Sequence, residues 1–327
     1  AQTGMMTGSP GSIYTIFTNA DLPFPEVTLS TGEKVRLSQS AYAKYRSSGV
    51  REDRDKVFKA FWPAYAAYKR TLGTTLYSHV KGHVINKEVR SYSSCRAAAL
   101  DSYAIPEAVY SQLIEDVHRN LPTLHRYLKL RQRMMGVDRL RYEDLYAPLV
   151  QEVALSYTPE EAMALTLEAT APLGPKYTDA LKKGFESRWI DFMPTTGKKS
   201  GAYSTGGAYD VHPFQLLNFN GGYDDVSTLA HEMGHGMHAH FSNASQTYLN
   251  SRYSTFVAEV ASTFNENLLF HEMMKTAKDD ETRLFLLGER LDGYRQTLFR
   301  QTLFAEFEWR IHEMAERGET LTGDSLT

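Results

Sequence analysis

LAHEMGHGMH, residues 229–238, is the stretch on which the reading of this chain turns. Its apolar residues Leu229, Ala230, Met233 and Met237 recur at helical spacing, so the segment reads as a buried helix. His231 and His235 stand at i and i+4 and project from one face. Two imidazoles placed in this way can both reach one Zn²⁺ at about 2.0–2.1 Å. Glu232 lies to the side, where it can act on a water without being a ligand, which is the arrangement the HExxH pattern encodes. Gly234 and Gly236 fall mid-helix, each at a cost of about 0.8–1.0 kcal/mol relative to alanine. Their presence there predicts that another segment comes close.

The surroundings agree with a metal. Between Lys199 and Lys275 the only Lys or Arg is Arg252, against seven acids and six of the chain's eleven histidines. That stretch carries −6 and the rest of the chain +3, giving the net −3. Carboxylates and imidazoles that lack internal cations suit a bound cation. The same balance offers no basic surplus for nucleic acid or an anionic membrane.

Catalytic zinc usually takes three protein ligands. An H-E-x-x-H-x-x-G-x-x-H pattern is excluded, because His238 and Phe241 stand where Gly and His are required. His240, five residues after His235, points to a different face. In STFVAEVASTFNENLLFHEMM, residues 254–274, one helical face carries Phe256, Val257, Val260, Ala261, Phe264 and Leu268. The other carries Glu259, Ser262, Thr263 and Glu266, with no Lys or Arg from residue 253 to 274, so this polar stripe is expected to face the histidine helix. Glu259 and Glu266 both remain candidates for the third ligand. Glu259 is favoured by its apolar neighbours, and Ser262 and Glu266 are then candidates to orient the ligands. His238, one turn beyond His235, is a further candidate for that outer role, or for closing the fourth position of a structural site.

The rest of the chain is read around this helix. EVTLSTGEKVRL, residues 26–37, alternates as a hairpin. Residues 39–188 read as mostly helical, with a kink at Pro63, one helix from Pro106 to Asn120-Leu121-Pro122, and another capped by Thr158 and ended by Gly174. Two short strands are expected near Ala202–Ser204 and Leu216–Phe219. Helices follow at about 226–241, 253–275 and 280–317. Tyr203, Tyr209 and Tyr223 receive no assignment. The 327 residues hold one cysteine, Cys95, which excludes an intrachain disulfide and fits a reducing, cytoplasmic setting. No run of about 18 apolar residues is present. The opening AQTGMMTGSPGS is unlike a signal peptide, and both ends read as cut, Asp324 or Ser325 resembling the cap of a further helix.

LAHEMGHGMH followed by FVAEVASTFNE resembles the zinc oligopeptidases of the thimet oligopeptidase family, and most of all its bacterial oligoendopeptidase F branch. The resemblance extends to GAYSTGGAYDVHPFQLLNFNGGYDDVSTLAHE (201–232) and NLPTLHRYLKLRQRMMGVDRLRYEDLYAPL (120–149). It implies a mainly α, zincin-like, two-lobed oligopeptidase fold with a small β element beside the active-site helix. It implies one Zn²⁺ per chain held by His231, His235 and Glu259, with Glu232 as catalytic base, and short peptides as substrates. It also implies that Leu216, Leu217, Asn218 and Phe219 form an edge that pairs with substrate backbone. Residues 1–40 would be the remnant of an N-terminal domain with its hairpin. Residues 41–327 would be the catalytic domain, ending before a tyrosine- and histidine-bearing segment that assists the chemistry. The alternative is a silent zinc- or peptide-binding helical module.

Overall fold

The computed structural model describes residues 8–150, 155–195, 198–199 and 201–327. The fold is mainly α, in two compact units: residues 1–151 with 291–327, and residues 152–290. No described helix is long and apolar enough to cross a membrane.

In the first unit, helix α1 (Ser9–Ile16) precedes a π-helical turn and the hairpin β1 (Glu26–Thr28) and β2 (Lys34–Arg36). The strands pair antiparallel with Val27 opposite Val35, and Gly32 takes the positive φ of the turn, as the sequence predicts. Helices α2 (Gln39–Tyr45) and α3 (Arg51–Ala66) follow, with Pro63 in the last turn of α3. Leu29 and Leu37 from the hairpin share a core with Tyr42, Val57 and Phe61. A boundary at residue 40 therefore falls inside this unit.

Next come α4 (Lys69–Val89), α5 (Cys95–Asp101) and α6 (Glu107–Met134). The expected end of α6 at Pro122 is corrected: Pro106 is its N-cap, and the helix continues through Pro122 to Met134. A mid-helix proline costs about 3 kcal/mol. Here the helix is anchored on both sides of it, by buried Ile114 and Val117 before and Arg131 after. Arg131 donates to the carbonyls of Asp144, at 3.0 Å, and Ala147. Asp144 lies in a 3₁₀ segment, Tyr142–Tyr146, and its buried carboxylate pairs with Arg51 at 2.8 Å and Arg54 at 3.0 Å.

The second unit opens with α7 (Pro159–Thr170), whose Thr158 and Glu161 form a reciprocal capping box. Gly174, at φ +86°, leads into α8 (Pro175–Glu186). Strands β3 (Ile190–Asp191), β4 (Tyr203–Thr205) and β5 (Phe214–Leu216) form a sheet of order β3-β5-β4. Helices α9 (Tyr223–Ser245) and α10 (Thr255–Thr276) complete the layer against it. Helix α11 (Asp280–Tyr294) begins in this unit, and a π-helical segment, Arg295–Arg300, joins it to α12 (Gln301–Glu316). The expected single helix over 280–317 is therefore a helical path interrupted by a π segment.

The core of this unit is built on α9. Val226, Leu229, Ala230, Met233 and Met237 are fully buried against Leu181, Trp189, Leu217, Phe219, Leu269 and Leu286. Fully burying one such Leu or Met side chain contributes about 1.5–3 kcal/mol. Asp225 caps the helix, accepting from the N–H of Gly222 at 2.9 Å, and its charge complements the N-terminal end of the helix dipole.

Candidate metal centre and active site

The two glycines of α9 are explained by what lies against them. A Cβ on Gly234 would meet the backbone of Ser262 on α10 at 2.6 Å. A Cβ on Gly236 would meet the side-chain amide of Gln215 on β5 at 2.5 Å. One glycine admits the neighbouring helix and the other admits the sheet. The helix spacing set by Gly234 brings the polar stripe of α10 onto the histidine face of α9.

Three side chains converge there. His231 Nε2 and His235 Nε2 are 3.1 Å apart, and Glu259 Oε2 lies 3.4 Å from each. The donor atoms of His231, His235 and Glu259 form the one group of metal-ligating geometry among the described residues. A tetrahedron with bonds of about 2.0–2.1 Å has edges of about 3.3–3.4 Å; both carboxylate–imidazole separations match this, and the imidazole pair is slightly closer. Two imidazoles and one carboxylate are also a donor set that zinc accepts in catalytic sites.

Each donor is held by a second contact. His231 Nδ1 is 2.5 Å from Glu266 Oε1, which accepts a hydrogen bond from it and leaves Nε2 free to face the other donors. Burial lowers the His231 pKa, but Glu266 more than reverses this, and the net shift is upward. His235 hydrogen-bonds to the backbone of Ala258, and burial lowers its pKa. Ser262 donates to Glu259 Oε2 at 2.7 Å. Ser262 and Glu266 thus touch the triad as the sequence anticipates. His238 does not: it stacks on Tyr253 at 3.6 Å, with a buried Nδ1 that has no hydrogen-bond partner among the described residues. His240 packs beside Trp189 and Phe241.

Glu232 is buried, and among the described residues its Oε2 has no hydrogen-bond partner. Burial raises its pKa, and the nearby Glu259 charge adds to this against the opposing effect of His231. A carboxylate kept out of water, one residue from a ligand and free of hydrogen bonds at one oxygen, is suited to taking up a proton.

Two residues of the site escaped the sequence reading. Asn265 is buried; it donates to the carbonyl of Ala230 at 3.1 Å and accepts from the Tyr177 hydroxyl at 3.0 Å. Gln215 is also buried and donates to the carbonyl of Glu232 at 2.7 Å. Both tie the backbone of the histidine helix to its neighbours.

The expected substrate-pairing edge at Leu216–Phe219 is corrected. Strand β5 ends at Leu216 and is paired on both sides, to β3 and to β4. Beyond it, Leu217 N–H donates to Asp191 and Phe219 N–H to Phe192, while Leu217 and Phe219 are buried in the core. Asn218 donates to the carbonyls of Lys199 and Gly201. The edge of the sheet nearest α9 is β4, whose Ser204 backbone reaches the Glu232 carboxylate.

Residues 44–327 match the profile of peptidase family M3. Oligopeptidase PepF of Bacillus subtilis is 40% identical over all of this chain and 49% of its own length. The chromosomal oligoendopeptidase F of Lactococcus lactis is 42% identical over 95% of this chain and 51% of its own. The crystal structure of oligoendopeptidase-F from Enterococcus faecium superposes with a TM-score of 0.74 at 34% identity, covering 98% of this chain and 50% of that one. The chain thus spans about half the length of these relatives.

Proposed function

Because the chain belongs to peptidase family M3, we propose that it carries the zinc-binding, water-activating centre of an endopeptidase that hydrolyses short oligopeptides. The observation that supports this most is the buried oxygen of Glu232, unpartnered among the described residues, beside a donor triad of near-tetrahedral spacing.

His231, His235 and Glu259 would hold one zinc ion per chain. When bound there, zinc supplies a Lewis acid that polarises a scissile carbonyl and acidifies a water molecule. Glu232 accepts the water's proton at Oε2 and delivers it to the leaving amine. Burial raises its pKa, which makes it a stronger base for the first of these transfers. Glu266 and Ser262 keep the ligands oriented through the cycle. The substrate backbone is assigned to the edge of β4, Tyr203–Thr205, in place of Leu216–Phe219, by strand addition.

The test is Glu232→Gln. The variant is expected to keep its zinc by metal analysis and to lose about 10²–10⁴-fold in cleavage of a quenched, end-blocked peptide. Turnover at the parent rate would remove Glu232 from the role of base. Blocking both peptide ends separates an endopeptidase from an aminopeptidase.

A further inference from the structure

Arg252 is the only Lys or Arg between Lys199 and Lys275, in a stretch that carries −6. Such a residue would be expected to pair with one of the surrounding acids. It does not: among the described residues the exposed Arg252 makes no ion pair or hydrogen bond. It lines instead a cavity of about 220 Å³ in the second unit, with Gly206, Gly207, Tyr209, Asn243, Tyr248 and Tyr253 among its walls.

The cavity is tied to the catalytic helix and to the sheet edge. Gly206 and Gly207 follow β4 directly in sequence. Asn243 of α9 donates to the carbonyl of Gly206 at 3.2 Å, and a Cβ on Gly206 would overlap Ala239 of α9, so this loop is seated on the histidine helix. Tyr253 stacks on His238, which follows His235 by three residues. Tyr209 is anchored through its hydroxyl to the carbonyl of Gln246 at 2.5 Å and packs edge-on to Tyr248. The hydroxyls of Tyr248 and Tyr253 make no hydrogen bond among the described residues. The walls thus offer one guanidinium and two phenolic donors.

We propose that this cavity is a subsite for a carboxylate of the peptide substrate, bound by Arg252; the proposal rests on the peptidase reading above. A peptide lying along β4 runs into the Gly206–Gly207 wall, so one of its flanking groups reaches the cavity. The guanidinium fork matches a carboxylate in a bidentate manner, and Tyr hydroxyls can complete the set. The field of the region narrows the ligand further. The six net negative charges, Arg252 included, repel polyanions such as polyphosphates far more than they repel a singly charged carboxylate. The carboxylate is a Glu or Asp side chain or the C-terminus of the peptide.

The experiment compares peptides of one sequence in which Glu or Gln is walked through each position on both sides of the scissile bond. A second arm compares a C-terminal acid with its amide. The parent protein is expected to prefer the acidic peptide by about tenfold in kcat/KM at one position or at the terminus. Preference at an internal position identifies a side chain, and loss of preference on amidation identifies the C-terminus. Arg252→Gln is expected to bring the acid-over-neutral ratio to about one, and Arg252→Lys to keep part of it. A ratio that is the same in Arg252→Gln, or a parent protein with no acidic preference at any position, overturns the subsite. The same ratio is read from peptide dissociation constants measured by calorimetry on Glu232→Gln with and without Arg252→Gln. If no peptide is cleaved but the affinity ratio still depends on Arg252, the peptidase reading falls and the subsite stands. If peptides are cleaved and neither ratio depends on Arg252, the subsite alone falls.

Discussion

At the scale of single residues, the site is two layers of contacts around three donor atoms. The inner layer was legible because its signals are local: an i, i+4 histidine pair, a carboxylate stripe, and a long stretch nearly free of Lys and Arg. Asn265 and Gln215 were not legible, because each bonds a backbone carbonyl, 35 and 17 residues away respectively, and no side-chain pattern announces such a partner. The outer contacts make their own prediction. Glu266→Gln removes the charge that fixes the His231 tautomer, and Ser262→Ala removes a donor to Glu259. Each is expected to weaken zinc binding about 10–100-fold, measured by competition with a chelator of known affinity. Unchanged zinc affinity in both would show that the donors are held by packing alone.

At the scale of elements, the spacing between α9 and α10 depends on Gly234. Gly234→Ala gains helix propensity worth about 0.8–1.0 kcal/mol but drives a methyl into the Ser262 backbone. The expected net result is destabilisation by about 1–3 kcal/mol, read from denaturant unfolding, with loss of zinc. Gly293 in α11 has open space around its Cβ position, so Gly293→Ala is expected to stabilise by about 0.5–1 kcal/mol. The same sign for both variants would mean that helix propensity, and not the close approach, decides. Helix α10 is also turned as its polar stripe suggests: Ser262 is fully buried, while Phe256, Val260 and Phe264 are 65%, 63% and 50% exposed. The strands were the least legible elements. Their three-residue lengths leave almost no alternation to read, and which of them lies in the middle of the sheet depends on pairings that sequence order does not give.

At the scale of the whole molecule, each unit has its own core, and the first also has a buried polar organiser. In the first unit that organiser is Asp144, which joins α3 through Arg51 and Arg54, while its backbone carbonyl receives Arg131 from α6. Burial pushes the Asp144 carboxyl up, but Arg51, the N–H of Arg141 and Arg54 outweigh this and hold it below the usual carboxylate range. Its stabilising contribution is therefore complete above about pH 4 and is lost as pH falls through the lowered folded-state value. Asp144→Ala leaves Arg54 buried without its counter-charge and is expected to cost about 3–5 kcal/mol, measured at neutral pH. Parent and variant stabilities should then converge on acidification; a constant difference down to pH 2 would refute the linkage. The α9–α10 crossing has a further consequence, for reconstitution. Asn265 and Gln215 bond the backbone of α9, and the packed glycines seat it on its neighbours, all through protein–protein contacts, so folding is not expected to wait for loading. Protein stripped by a chelator should keep its far-ultraviolet circular dichroism and take zinc back in a single fast phase. That is the behaviour of a rigid socket, for which most of the ordering entropy has been lost in advance.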